Sequence, residues 1–105
     1  MIFINNNLKY DTDKMELISD KIKVFVECSG FRLEFARKFN SNPNGIYGSY
    51  VNGKIYKSKK SRYIAVYGYD YEFYGRPMSE KEVKETLKRY DYLKYEELFG
   101  EIEEA

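Results

Sequence analysis

Alternation of apolar and polar residues is the feature that most constrains this chain. Ile22, Val24, Val26 and Cys28 alternate with Lys23, Phe25 and Glu27; Phe31, Leu33 and Phe35 then alternate with Arg32, Glu34 and Ala36. Successive side chains of a strand point to opposite faces, so a period of two gives each run one buried face and one solvent face. Ser29-Gly30 between the runs is short enough for a tight hairpin, which predicts two strands paired antiparallel. Tyr63, Ala65, Tyr67 and Tyr69 alternate with Ile64 and Val66, predicting another strand over 62–69. Tyr71 to Tyr74 extend it past a kink at Gly68 or Asp70.

Between and around these runs the punctuation is local. Ile2-Phe3-Ile4 and Leu8-Lys9-Tyr10 read as short extended pieces around an Asn5-Asn6-Asn7 turn. Asp11 or Thr12 is placed to cap a short helix through Ile18, with Met15, Leu17 and Ile18 as its apolar residues. Asn40 to Gly45 has the composition of a loop. Ile46 to Val51 reads as a strand, and Asn52-Gly53 as a hairpin turn before Lys54-Ile55-Tyr56. Gly75 to Met78 is expected to end the sheet region. Ser79-Glu80-Lys81-Glu82 then has the form of a capping box, with Val83, Leu87 and Tyr90 on one helical face. Glu80–Lys84 and Glu85–Arg89 have the i, i+4 spacing of helical ion pairs. A second short helix over 92–99 ends at Gly100. The expected fold is α+β: an antiparallel meander of four to six strands with the C-terminal capped helix packed on one face. Residues 1–100 form a single domain in this reading and 101–105 an acidic tail.

Composition decides which chemistry is open. The 105 residues include no histidine and a single cysteine, Cys28. The first absence removes the commonest general base and every Ser-His or Cys-His dyad; the two together leave no set of ligands for structural zinc. Gly45, Gly48 and Gly53 have neither the phosphate-loop nor the dinucleotide spacing. Asp11 and Asp13 are the best carboxylate pair for Mg²⁺, but acids in a first helical turn more often cap it. Cys28, on the face predicted to be buried, reads as a core residue. The expectation is therefore a protein that is not an enzyme, with no catalytic residues, no metal and no cofactor. No apolar stretch is long enough to span a membrane, and the start has no basic segment of a secretory signal. One cysteine fits a reducing compartment, so the expected location is cytoplasmic.

Charge and aromatics indicate where such a protein makes contact. Residues 1–62 hold twelve Lys and Arg against six Asp and Glu, whereas 63–105 hold six against eleven. Such asymmetry marks a dipolar surface unless folding intermixes the two halves. The densest basic run is Lys54, Lys57, Lys59, Lys60 and Arg62, with Tyr56 and Tyr63 interleaved. Cations that track phosphates and rings that stack on bases suit single-stranded nucleic acid. The same pattern also describes a hairpin tip whose lysines prevent edge-to-edge aggregation. These seven residues are the candidate partner- or nucleic-acid-binding site. Tyr67, Tyr69, Tyr71 and Tyr74 suit a protein contact surface; the alternative is that the odd-numbered rings pack under the 80–90 helix.

Lys9-Tyr10-Asp11-Thr12-Asp13, the following Glu16-Leu17-Ile18, and Pro77-Met78-Ser79-Glu80-Lys81-Glu82 carry a resemblance, joined by Tyr95-Glu96-Glu97-Leu98-Phe99-Gly100-Glu101. The sequence resembles small proteins of phages and mobile elements of low-GC Gram-positive bacteria. Those have a K-x-Y-D-T opening, an aromatic-rich β meander and a P-[LM]-S-x-E-E helix. Lys14 and Met15 stand where Thr and Ala are usual, and the middle of the chain shows no shared motif. No active site comes with the resemblance. It implies a context of accessory genes that includes anti-CRISPR inhibitors and other counter-defence proteins. The expected function is a binding protein that inhibits a host defence component, with a CRISPR effector nuclease, an RNA-guided enzyme, as the partner class. The alternative is a single-stranded nucleic-acid-binding module built on the hairpin 54–63.

Overall fold

β-branched residues hold the sheet over longer spans than alternation alone predicts. A computed structural model describes residues 1–39 and 45–105. The chain opens with β1 (Ile2–Asn5) and β2 (Leu8–Asp11), an antiparallel hairpin. Asn6 and Asn7 both take positive φ, 49° and 62°, the left-handed turn that Asn tolerates. The Asp11 carboxylate then accepts from the Asp13 backbone N–H at 3.2 Å and caps a single 3-10 turn, Thr12–Lys14. The helix expected through Ile18 stops there. Ile18 belongs to β3 (Glu16–Glu27), where Ile18, Ile22, Val24 and Val26 favour extended backbone. Two irregularities, between Leu17 and Ser19 and between Ser19 and Ile22, each add one residue relative to the partner strand. Adjacent Ile18 and Ser19 are consequently both buried, and the strand bends.

The second alternating run is not a strand. Residues 30–39 form α1 (Gly30–Phe39), and the partner of β3 is β4 (Gly48–Lys57). Leu33 and Ala36 are half-buried at i, i+3 while Glu34, Arg37 and Lys38 are exposed, which is helical rather than strand spacing. Nothing between Gly30 and Phe39 is β-branched, and Leu, Glu, Ala, Arg and Lys are strong helix formers. Cys28, expected on the buried face, lies past the end of β3 and is half-buried, its N–H donating to the Tyr47 carbonyl at 2.7 Å. The loop expected at 40–45 lies outside the described residues except for Gly45.

Asn52-Gly53 is not a turn either. β4 runs straight through it, with Gly53 opposite Ile22 on one side and Tyr67 on the other. A Cβ there would come within 2.8 Å of Val24 Cγ2, so glycine serves a close strand approach. Residues 58–62 make the turn instead, leading to β5 (Tyr63–Tyr69). A two-residue turn at Asp70 and Tyr71 then reverses the chain into β6 (Glu72–Met78), so 75–78 lie inside the sheet rather than beyond it. The four strands form an antiparallel meander, β3-β4-β5-β6, and β1–β2 is a separate two-stranded sheet. The fold is α+β.

α2 (Glu80–Tyr90) begins with the capping box read from the sequence. Ser79 Oγ accepts from Glu82 N, and Glu82 Oε1 accepts from Ser79 N, both at 3.1 Å. Val83 and Leu87 are completely buried against Ile18, Ile22, Val24, Ile55, Tyr63 and Ala65. Each such burial stabilises by about 1.5–3 kcal/mol. Glu80–Lys84 forms at 3.8 Å, whereas Glu85–Arg89 does not close; two solvated side chains gain little by meeting. Asp91 ends α2 and caps α3 (Tyr92–Phe99), and its Oδ2 accepts from Ser19 Oγ at 2.7 Å. One carboxylate thus ties both helices to β3. Residues 101–105 are exposed and in no element.

The opposite sheet face is covered by β1–β2. Tyr10 is buried with Ile64 and Val66, and Phe3, Met15 and Tyr56 pack around them. A Cβ on Gly75 of β6 would come within 2.6 Å of the Phe3 ring and 2.7 Å of Ile64 Cδ1. The sheet is curled: Arg76 Nη2 of β6 donates to the Phe25 carbonyl of β3 at 3.3 Å. Three flat strand spacings, about 14 Å, would put these edges beyond one arginine's reach. Among the described residues no helix is long and apolar enough to cross a membrane.

Candidate functional site

The turn between β4 and β5 is held by its own backbone. Ser58 N donates to Arg62 O at 2.8 Å, Ser61 N to Ser58 O at 3.0 Å, and Arg62 N to Ser58 Oγ at 3.1 Å. This five-residue closure projects Lys59, Lys60 and Arg62 into solvent. The β1–β2 hairpin and the 3-10 turn stand beside it, and between the two lies a groove of about 380 Å³. Five cations line it: Lys59, Lys60 and Arg62 from the turn, and Lys9 and Lys14 from the N-terminal wall. Among the described residues Asp11 is the one carboxylate in its lining, and none of the five cations has an ion-pair partner. Leu8, Tyr10 and Met15 supply the apolar part of the wall.

Of the seven residues singled out by sequence, the groove gathers three. Lys54 is exposed on the far side of β4, beside a separate hollow that also contains Asp20, Tyr56 and Val66. Lys57 faces the helices, with its ammonium 5.8 Å from the Tyr63 ring centre, in range of a cation–π contact. Tyr63 is 8% exposed in the core under α2. Tyr56 is half-buried on the opposite face of the sheet. The two rings placed between the lysines by sequence therefore face opposite sides of the sheet, and neither offers an open stacking platform. Lys9 and Lys14 were missed. Their only sequence signal was the excess of cations over acids in residues 1–62; no local motif joins position 9 to position 60.

The other tyrosines divide as well. Tyr67 packs against the core and stacks on Tyr74, ring centres 5.7 Å apart, with the Arg76 guanidinium 5.3 Å from its ring centre. Tyr74 donates its hydroxyl to Glu72 Oε2 at 3.0 Å; that bond, more than any other influence, holds the phenol proton and raises its pKa. Tyr71, at the turn, is fully exposed. Asp11 caps its turn, and Asp13 lies 3.7 Å from the N-terminal ammonium. Among the described residues no three Asp, Glu or Cys side chains are grouped to hold a metal ion.

Comparison with known proteins adds no relative: no family model, no curated protein and no solved structure matches the chain.

Proposed function

We propose that this chain is a non-enzymatic binding protein of a phage or mobile element that disables a host defence component by occupying it. The groove face is its contact surface and an RNA-guided nuclease its target class, reached in the cytoplasm of the bacterial host. The observation that carries the reading is the set of five cations around one groove with a single carboxylate among them. Protein surfaces ordinarily intersperse the two signs, and an unneutralised cluster draws an anionic partner and speeds encounter with it. The lack of any imidazole, and the engagement of Asp11 in a cap, favour occupancy over turnover. The resemblance to phage accessory proteins supplies the defence context.

The test is titration of a purified RNA-guided nuclease with the protein in a DNA-cleavage assay. Cleavage is expected to cease near one molecule per target, and Lys59→Glu with Lys60→Glu to abolish the inhibition. Complete inhibition far below one molecule per target would show turnover, and unimpaired cleavage at excess protein would remove this target class. The single-stranded nucleic-acid reading keeps Lys59, Lys60 and Arg62 at the groove but loses Lys54 and Lys57 to other faces, and its rings, since Tyr56 and Tyr63 are packed. Salt separates the two: phosphate-driven affinity falls steeply between about 50 and 200 mM salt.

A further inference from the structure

The arrangement of the cations says more than their number. In a polymer-binding surface the basic residues run along a track, with aromatic side chains open beside it. Here Lys54 and Lys57, which would extend such a track along β4, point to a different hollow and to the Tyr63 ring respectively. The remaining five converge on one cavity of about 380 Å³, a size within the range of clefts for small ligands. Its wall is mixed: the N-terminal bank interleaves Leu8 and Met15 with Lys9 and Lys14, and the turn faces it with Lys59, Lys60 and Arg62. Ser58 Oγ already accepts from Arg62 N, so its hydroxyl proton remains to be donated to a ligand. A ligand complementary to all three features carries negative charge, an apolar part and hydrogen-bonding oxygen within one small molecule.

We infer that the groove binds a nucleoside phosphate, with Lys9, Lys14, Lys59, Lys60 and Arg62 around the phosphates and Leu8 and Met15 against the nucleoside. This rests on the reading that the groove is the binding face, and it names the chemistry held there. The phosphate comes either from a free nucleotide or from the phosphorylated end of a strand.

Calorimetric titration of the full chain with ATP, AMP and adenosine, and with one short oligonucleotide carrying either a 5′-phosphate or a 5′-hydroxyl, tests it. ATP is expected to bind more tightly than AMP, and adenosine not at all. Lys9→Glu and Lys14→Glu should each weaken ATP by about tenfold, the equivalent of about 1.4 kcal/mol, with the thermal melt not lowered. Lys54→Glu should leave affinity as it was. Oligonucleotide binding that requires the 5′-phosphate assigns the strand end as the source. Three results would overturn the inference: adenosine binding as well as ATP, no binding by any phosphate, or oligonucleotide binding indifferent to the terminal phosphate. The cleavage titration keeps this separate from the proposed function. If no phosphate ligand binds while Lys59→Glu with Lys60→Glu still abolishes inhibition, the nucleotide site falls and the inhibitor stands. Nucleotide binding without inhibition has the reverse meaning.

Discussion

β5 ends in two turns of opposite character. The one at 58–62 is wide, closed by three hydrogen bonds through Ser58, and studded with cations. The one at 70–71 is as short as a hairpin allows, with φ of 53° at Asp70 and 66° at Tyr71, and it displays a bare aromatic ring. The difference lies in where each turn takes its strain. At 58–62 a single small residue, Ser61, is left-handed (φ 60°) and its N–H is met by Ser58 O, so the larger unfavourable term is electrostatic, with one carboxylate among the five cations of the groove. At 70–71 the charges are ordinary and the unfavourable term is steric, since a left-handed backbone suits Gly or Asn and not Tyr. The β1–β2 hairpin shows the unstrained version, with Asn at both positions.

Both ends hang from the same strand, so the largest effect comes from loosening its middle. Ile64 is completely buried beneath β1–β2, and Ile64→Ala should lower stability by about 2–5 kcal/mol in urea unfolding. A loss below about 1 kcal/mol would mean that the hairpin layer does not clamp β5 and that the two turns are independent. Next comes the steric end. Tyr71→Gly removes a left-handed cost of about 1–2 kcal/mol and adds back about 0.5–1 in chain entropy. A modest rise in melting temperature is expected; a fall would show that the exposed ring makes contacts that hold the turn. Ser58→Ala should cost about 0.5–1 kcal/mol by removing the acceptor for Arg62 N. Hydrogen exchange should then speed up at 58–62 and not at 70–71. The smallest effect is electrostatic. Lys60→Glu should raise the melting temperature by about 1–2 °C at low salt. The gain should vanish near 1 M, where the Debye length is about 3 Å; a gain that survives high salt would show that the cations do not repel one another.

Sequence pattern was most reliable where one local signal sufficed. The Asn turn read at 5–7 formed at 6–7, the strand read at 62–69 formed at 63–69, and the capping box at Ser79 and Glu82 and the stop at Gly100 formed as read, whereas Tyr71 to Tyr74, read as extending that strand, reverse into β6. It failed where two periods fitted the same residues. Phe31 and Phe35 alternate, but they also stand four apart, and the absence of β-branched residues was the clue that decided for helix. Asn52-Gly53 has the composition of a turn, yet the register of β4 between β3 and β5 needed glycine for closeness rather than for reversal. The site was half legible for a related reason. A basic run is visible in a chain, so Lys59, Lys60 and Arg62 were found. Which face each flanking tyrosine takes follows from register, and which distant lysines come alongside follows from packing. Neither is written locally.

Gly75 has a consequence beyond its own strand. Its missing side chain is what lets the Phe3 ring settle onto β6, and the N-terminal hairpin that Phe3 anchors is also one bank of the cationic cleft. One added methyl on the far edge of the sheet would act as a wedge, lifting that bank and changing the aperture between Lys9 and Lys60. The spacing of the charges is therefore set by a residue that carries none.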